Sequence, residues 1–238
     1  MRLSVITINY NNKEGLEKTV LSVIQQTYTN FEYIIIDGNS TDGSKLVIEK
    51  YANNIHKWVS ERDKGIYDAM NKGIAKASGV YCLFINSGDV LTQNKVLAQM
   101  MDNVFNEDII YGDLKINRGN GQIQNGYSPN KIGLIRLYRD TLWHPVSFIK
   151  KELFEKFGMY NLDYKIVADY EFFVKVIIAK KISMRHLPVF VAEFDTSGLS
   201  MDLSKLQDQK KERMKVQENY FPRFILKIFR AYSKIKNP

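Results

Sequence analysis

The sequence predicts an α/β fold: a mostly parallel, mixed sheet with helices on both faces, followed by a basic helical tail. Three observations predict it. Strand-like and helix-like segments alternate through the first half of the chain, the pattern of a parallel sheet covered on both sides. The apolar run at 80–85, closed by Asn86-Ser87-Gly88-Asp89, reads as a buried strand ending in small polar residues. Most of the net positive charge lies at one end: from residue 203 onward seven Lys and three Arg stand against one Asp and two Glu, a surplus of seven within a chain of net charge +8.

Taken in order, residues 3–8 alternate and form the first strand, which ends in Asn9-Tyr10-Asn11-Asn12. Residues 13–26 carry Leu16, Val20, Val23 and Ile24 at helical spacing, and 31–36 form a β-rich run closed by Asp37-Gly38, completing a βαβ unit. Asn39-Ser40-Thr41-Asp42-Gly43 supplies turn and capping residues for a helix at 45–51, with a short third strand at 57–60. A helix at 67–76 leads into the buried strand. In the second half, 107–113 and 114–117 read as strands, and Arg118-Gly119-Asn120-Gly121 suggests a hairpin, so the sheet turns antiparallel there. Helices follow at 150–157 and 169–179, a late strand at 187–194 and a Ser/Gly loop at 195–200. The tail divides into two helical pieces near Pro222.

At 238 residues, 45% hydrophobic and 25% charged, the chain is sized for one large globular domain plus the tail. Its single cysteine, Cys82, lies within the apolar run and reads as a buried, inert thiol, which fits a reducing compartment. The first ten residues lack the apolar core of a signal peptide, so no export is expected, and no stretch reaches the roughly 18 apolar residues of a membrane span. Nucleic acid is not expected as a partner, because the basic residues gather in a tail without a recognisable reading motif. The second piece of that tail interleaves Phe224, Ile225, Ile228, Phe229 and Tyr232 with Arg223, Lys227, Arg230, Lys234 and Lys236. This composition favours contact with an anionic membrane surface, the alternative being a terminal helix packed on its own domain with a solvated basic face.

Asp89 is the residue from which a function can be argued. An aspartate at the C-terminal end of a parallel strand stands where open α/β sheets bind ligands, and its hard oxygens suit Mg²⁺ or Mn²⁺ holding a diphosphate. Neither a Gly-x-x-x-x-Gly-Lys-Ser/Thr loop nor a Gly-x-Gly-x-x-Gly turn follows the first strand, so another phosphate device is required. Asp37, followed by small turn residues, can accept hydrogen bonds from a nucleobase or ribose, or can simply build the turn. Between Ser60 and Gly73 polar groups are dense, and Asp68, Asn71 and Lys72 share one helix face, where Lys72 could balance a phosphate.

The ordered set Thr7-x-Asn9-Tyr10, Asp37-Gly38-x-Ser40-x-Asp42-Gly43, Asp68 to Gly73 and Asn86-Ser87-Gly88-Asp89 resembles the family 2 glycosyltransferases of the GT-A fold over about the first 200 residues. Asp63-Lys64-Gly65-Ile66-Tyr67-Asp68-Ala69-Met70-Asn71-Lys72-Gly73 is similar to the branch that includes colanic-acid-type exopolysaccharide enzymes. The resemblance implies a GT-A domain at 1–202, with a nucleotide-sugar-binding half at 1–113 and an acceptor-side half at 114–202, and a basic amphipathic tail at 203–238. It implies that Thr7, Asn9, Asp37, Asp68, Lys72, Asn86, Ser87 and Gly88 line the donor pocket and that Asp89 ligates Mn²⁺ or Mg²⁺. Family members usually carry an Asp-x-Asp-type motif where this chain keeps only Asp89. Val167-Ala168-Asp169-Tyr170-Glu171-Phe172 resembles the acidic segment that supplies the base, with Asp169 at the matching aspartate and Glu171 as second choice. His144 and Ser200 are implied as acceptor or diphosphate contacts, though His144 beside aromatics also reads as a packed residue. The implied function is inverting transfer from a nucleotide-diphosphate sugar, UDP-sugar favoured, to a saccharide acceptor on a polyprenyl diphosphate, in bacterial-type surface polysaccharide synthesis at the cytoplasmic membrane face. A nucleotidyltransferase is the competing enzyme and a saccharide- or membrane-binding scaffold the competing non-enzyme.

Overall fold

A computed structural model describes residues 2–101, 106–118, 122–179, 182–196 and 203–236. Its strands are β1 (Leu3–Asn9), β2 (Phe31–Asp37), β3 (Lys57–Ser60), β4 (Tyr81–Phe84), β5 (Val90–Leu91), β6 (Ile109–Asn117), β7 (Ile123–Gly126), β8 (Ser147–Lys150) and β9 (Met184–Asp195). They form one sheet in the order β3-β2-β1-β4-β8-β6-β9-β5, with β7 hydrogen-bonded to β6. The pairs β1–β2, β1–β4, β2–β3 and β6–β9 are parallel, and β8, β7 and β5 run antiparallel to their neighbours. The sheet is therefore mixed and mostly parallel, as the alternation of segments predicts.

All seven residues of β1 are buried, so both faces of the sheet are covered. Side chains alternate between two cores with the period of a strand. Leu3 and Val5 face the core built with α1 (Lys13–Ile24), α2 (Ser44–Lys50) and α4 (Val96–Met101), while Ile6 and Ile8 face the other. That second core takes α3 (Ile66–Lys76), α5 (Leu134–Arg139), α6 (Lys151–Phe157) and α7 (Ala168–Ile178). Where α3 crosses β1, Gly73 lets the backbones approach: a Cβ there would lie 2.5 Å from Cγ2 of Ile6. Cys82 is fully buried and burial pushes its thiol up to about 12, so it is inert as expected.

Several segments differ from expectation. Residues 107–117 form one strand, β6, rather than two. It is irregular because β9 takes six steps, from His186 to Ala192, while β6 takes three, from Tyr111 to Leu114. The hairpin appears as the β6–β7 pair, its turn lying outside the described residues. The tail is not an appendage. Its helices α8 (Leu206–Tyr220) and α9 (Arg223–Lys236) send Val216 and Leu226, and the break between them sends Phe221, into the core that holds α7. No helix among the described residues is long and apolar enough to cross a membrane.

Candidate active site

At the C-terminal edge of the parallel strands, Asn9 and Asp37 stand side by side as register partners. Asp37 is fully buried, and its carboxylate accepts from Nδ2 of Asn9 at 2.8 Å, the backbone N–H of Ser40 at 3.0 Å, and the hydroxyls of Ser40 and Ser60, each at 2.6 Å. Burial works against its charge, and the donors of Ser40, Ser60 and Asn9 outweigh it, holding Asp37 below the usual carboxylate range. The other end of the Asn9 amide is different: its Oδ1 is buried with no hydrogen-bond partner. A buried orphan acceptor is costly and rare, and here it marks a place for a ligand N–H or O–H.

The loop after β4 is fastened to α1. The Thr19 hydroxyl accepts from the Gly88 N–H at 3.0 Å and lies 2.7 Å from the Asp89 carbonyl, and Nδ2 of Asn12 donates to the Ser87 carbonyl at 3.2 Å. Gly88 sits at φ 106, in left-handed space that other residues avoid. Asp89 is only 4% exposed, and its Oδ1 accepts from the backbone N–H of Asp195 at 2.9 Å. Burial and the nearby Asp195 charge push the Asp89 carboxyl up to about 7 against the two backbone donors it accepts. Asp195 reaches into the same corner, its Oδ2 lying 3.1 Å from where a Cβ on Gly88 would be. The side-chain Oδ1 of Asn86 is a second buried acceptor without a partner.

Two neighbouring acids are hard ligands, and a cation would offset the repulsion and burial that raise Asp89. The donor set therefore fits Mg²⁺ or Mn²⁺. Among the described residues no cluster of three His, Cys, Asp or Glu forms, so most of the coordination would have to come from a bound ligand and water.

The second half of the site is built on α3 and α7. Asp169, in the first turn of α7, is partly buried, and the Tyr67 hydroxyl lies 2.7 Å from its Oδ1 and 2.7 Å from the carbonyl of Ile166. Burial and then the Asp169 charge raise the Tyr67 phenol far above its ordinary range, so it is a permanent donor to this pair. Asn71, one turn along α3, exchanges two hydrogen bonds with the backbone of Tyr160. Tyr160 in turn bonds Nε2 of His144 at 2.7 Å, and His144 stacks on Phe84 of β4 with ring centres 4.6 Å apart. A further carboxylate organises the approach to Asp169. Glu212 of α8 accepts the backbone N–H groups of Lys165, Ile166 and Val167 at 2.8, 3.0 and 3.2 Å, where the chain enters α7. The helix start has no side-chain cap of its own, and Glu212 of α8 instead anchors the three residues that lead into it.

The Glycosyl transferase family 2 description matches residues 4–164 of this chain. The chain belongs to glycosyl transferase family 2. Similar proteins include an uncharacterized glycosyltransferase of Mycobacterium tuberculosis, Rv1514c, 33% identical over 210 residues that span 83% of this chain and 76% of that protein. The UDP-Glc:alpha-D-GlcNAc-diphosphoundecaprenol beta-1,3-glucosyltransferase WfgD of Escherichia coli is 24% identical over 228 residues, 88% of this chain and 83% of WfgD. Among solved structures, S. aureus TarS 1-349 in complex with UDP superposes with a TM-score of 0.68 at 22% identity, covering 82% of this chain and 60% of that one. The mannosyltransferase PcManGT from Pyrobaculum calidifontis, in complex with GDP-Man and Mn²⁺, gives 0.61 at 18%, covering 81% and 56%. This chain thus spans less than two thirds of either structure. These likenesses bear out the GT-A fold, and membership makes the chain a glycosyltransferase acting with a nucleotide sugar.

For a family 2 enzyme, the expected residues fall into three groups. Asn9, Asp37, Asn86, Ser87, Gly88 and Asp89 gather at the strand ends, and Asp169 stands at the start of α7. Thr7 belongs elsewhere: it is fully buried, its hydroxyl spent on the Ile85 carbonyl at 2.7 Å and the Tyr33 hydroxyl at 3.0 Å, so it supports the strand from inside and lines no pocket. Lys72 is already matched by Glu61 at 2.9 Å and Asp68 at 3.7 Å, and Asp68 also accepts from the Lys64 N–H at 2.9 Å. Burial opposes the Lys72 charge, but Glu61 and then Asp68 and Asp63 hold its pKa above the ordinary value. The pair therefore stabilises the 61–64 loop beside Asp37 instead of presenting a free cation. His144 is packed among aromatics, and burial pushes it down to about 4, so it supports the site from behind. Glu171 faces α8, bonded by the Tyr220 hydroxyl and 3.5 Å from Lys175, which removes it as a base. Ser200 lies outside the described residues. Sequence reasoning passed over Asp195, Tyr67 and Glu212. Only Asp195 carried a signal, an acid closing the last apolar strand.

Proposed function

We propose that this chain is an inverting glycosyltransferase that moves a sugar from a nucleoside-diphosphate donor, UDP-sugar favoured, to a saccharide carried on a polyprenyl diphosphate in bacterial-type surface polysaccharide synthesis. The observation that supports the reading is the pair of buried groups Asn9 and Asp37 in register at the strand ends, with Asp89 held by the Asp195 N–H and, on α7, a carboxylate at Asp169 held by Tyr67. The orphan Oδ1 of Asn9 beside the charged Asp37 offers the acceptor that the N3–H of a uracil needs. A divalent cation at Asp89, joined by Asp195, would neutralise charge on the departing diphosphate.

Asp169 takes the proton of the acceptor hydroxyl on the face away from the leaving group, as inversion requires. Tyr67 fixes the carboxylate by donating to it, and Glu212 fixes the backbone that carries it. The lipid-linked acceptor is supported by the likeness to WfgD. Work at the inner membrane face is supported by α9, where Phe224 is 74%, Ile228 50% and Tyr232 48% exposed among basic residues. In Asp169→Asn, transfer should fall by about 10²–10⁴-fold, while thermal stabilisation by a UDP-sugar with Mn²⁺ stays as in the parent. Full transfer by that variant at saturating donor and acceptor would end the assignment.

A further inference from the structure

Away from the donor corner, α5 and α9 enclose a groove of about 820 Å³, within the roughly 300–1,000 Å³ of small-ligand sites. Ile225, Ile228 and Phe229 of α9 form an apolar side, and Lys131, Arg136 and Arg139 of the α5 side form a cationic rim. We propose that this groove binds the hydrocarbon chain of a lipid-linked diphosphate, with the diphosphate at the cationic rim, and so holds the acceptor by its lipid end. The proposal rests on the lipid-linked acceptor argued above.

Charge and shape select this occupant. No carboxylate is among the residues lining the groove, so an anion is matched on one side and a hydrocarbon on the other. A flat anionic bilayer meets outward-pointing residues such as Phe224, which does not line the groove, whereas Ile225 and Phe229 are recessed and half-buried. Arg136 lines the groove, part-exposed, with one Nη paired to Asp140 at 2.6 Å. A guanidinium fork suits a phosphate oxygen.

The α5 side of the groove is tied to the helix that carries the base. The Tyr170 hydroxyl donates to the Leu137 carbonyl of α5 at 2.8 Å, and Tyr170 adjoins Asp169. Arg136 lies over the ring of Trp143, 5.4 Å from its centre, and Trp143 adjoins His144. The cationic side is thus fastened to α7 and to the segment before His144, and the α9 side carries the exposed Phe224 and Tyr232.

Trp143 makes the test direct. The chain has two tryptophans, so Trp58→Phe leaves Trp143 as the sole reporter beside Arg136. Farnesyl diphosphate titrated into the full-length Trp58→Phe protein should shift Trp143 emission saturably and bind at least about tenfold tighter than farnesol or inorganic diphosphate, each of which fills half the groove. Ile225→Ser and Arg139→Ala should each weaken it about tenfold, with melting temperature and circular dichroism retained, and Phe224→Ser should not. Farnesyl diphosphate binding no tighter than inorganic diphosphate would overturn the proposal. So would displacement by UDP with Mn²⁺, which puts the ligand in the donor corner, or equal weakening by Phe224→Ser and Ile225→Ser, which signals a bilayer surface. Failure of the transferase reading is separate: it would appear as absent stabilisation by any nucleotide sugar, with farnesyl diphosphate binding untouched.

Discussion

Removing the Glu212 side chain should cost this enzyme both stability and rate, by amounts that the local geometry sets. In Glu212→Ala three backbone N–H groups at the entry to α7 lose their acceptor. That of exposed Lys165 can turn to water, but Val167 is buried and Ile166 half-buried. Hydrogen bonds to a charged acceptor contribute about 1.5–3 kcal/mol each when they cannot be replaced, and an anion at a helix N-terminus adds roughly 0.3–1 kcal/mol. With partial rehydration, a net loss of about 2–3 kcal/mol follows, and at about 2–4 °C per kcal/mol for a chain of this size the melting temperature falls by roughly 4–12 °C. The functional effect is distinct because Asp169 lies two residues beyond the freed segment. A displacement of about 1 Å in a catalytic group costs on the order of 10²-fold, so kcat should drop by about that factor while KM for the donor stays near that of the parent. Glu212→Gln keeps one acceptor oxygen and should fall between the two. The measurements are scanning calorimetry and release of nucleoside diphosphate at saturating donor and acceptor. A Glu212→Ala protein with lowered melting temperature and parental kcat would show that Glu212 braces the fold without placing the base.

Two further outcomes can be measured on single variants. Asp89→Asn removes a buried carboxylate whose neighbour is another acid, while its amide oxygen can still accept the Asp195 N–H. The metal-free variant should melt at least about 3 °C higher than the parent at pH 8, and it should lose the Mn²⁺-dependent stabilisation by UDP-sugars; an unchanged Mn²⁺ response would remove Asp89 as the ligand. His144 is held neutral to about pH 4, whereas the unfolded chain protonates near 6.5. Because the folded value is the lower one, this stability is full above about pH 6.5 and drains away as pH falls toward 4, amounting to about 2 kcal/mol by pH 5. His144→Gln should therefore lose less stability than the parent between pH 7 and 5 in urea titrations, and parallel losses would contradict the assignment.

Much of this site could be read from the chain because strand ends announce themselves. Asp37 and Asp89 each close an apolar run, and the sheet topology then delivers them to one edge. Thr7 was equally readable, since period-two alternation puts it on the face of Leu3 and Val5, but the motif outweighed the period. The ion pairing of Lys72 was hidden for a different reason: its main partner, Glu61, arrives by a loop closure that spacing along a helix does not reveal. Asp195 meets Asp89 only through β5, a strand of two residues and too short to leave a pattern. The role of the tail was hidden in the same way. Val216, Phe221 and Leu226 recur every five residues across the break at Pro222, which matches neither helix nor strand, and the polarity around them suggests a solvated appendage.

The pairing of β5 with β9 has a consequence for how this enzyme can change. Val90 opposes Glu193 and Leu91 opposes Ala192, so the loop that carries Asp89 is locked to the strand end that carries Asp195. The separation of the two acids is then a matter of counting ladder steps, and it can alter only in discrete jumps: slipping β9 by one residue would swing Asp195 to the opposite face of the sheet. Insertions need not cause such a slip, because β9 already absorbs surplus residues against β6 upstream, between His186 and Ala192. Length variation can accumulate in that irregular stretch while the spacing of the acids is inherited unchanged.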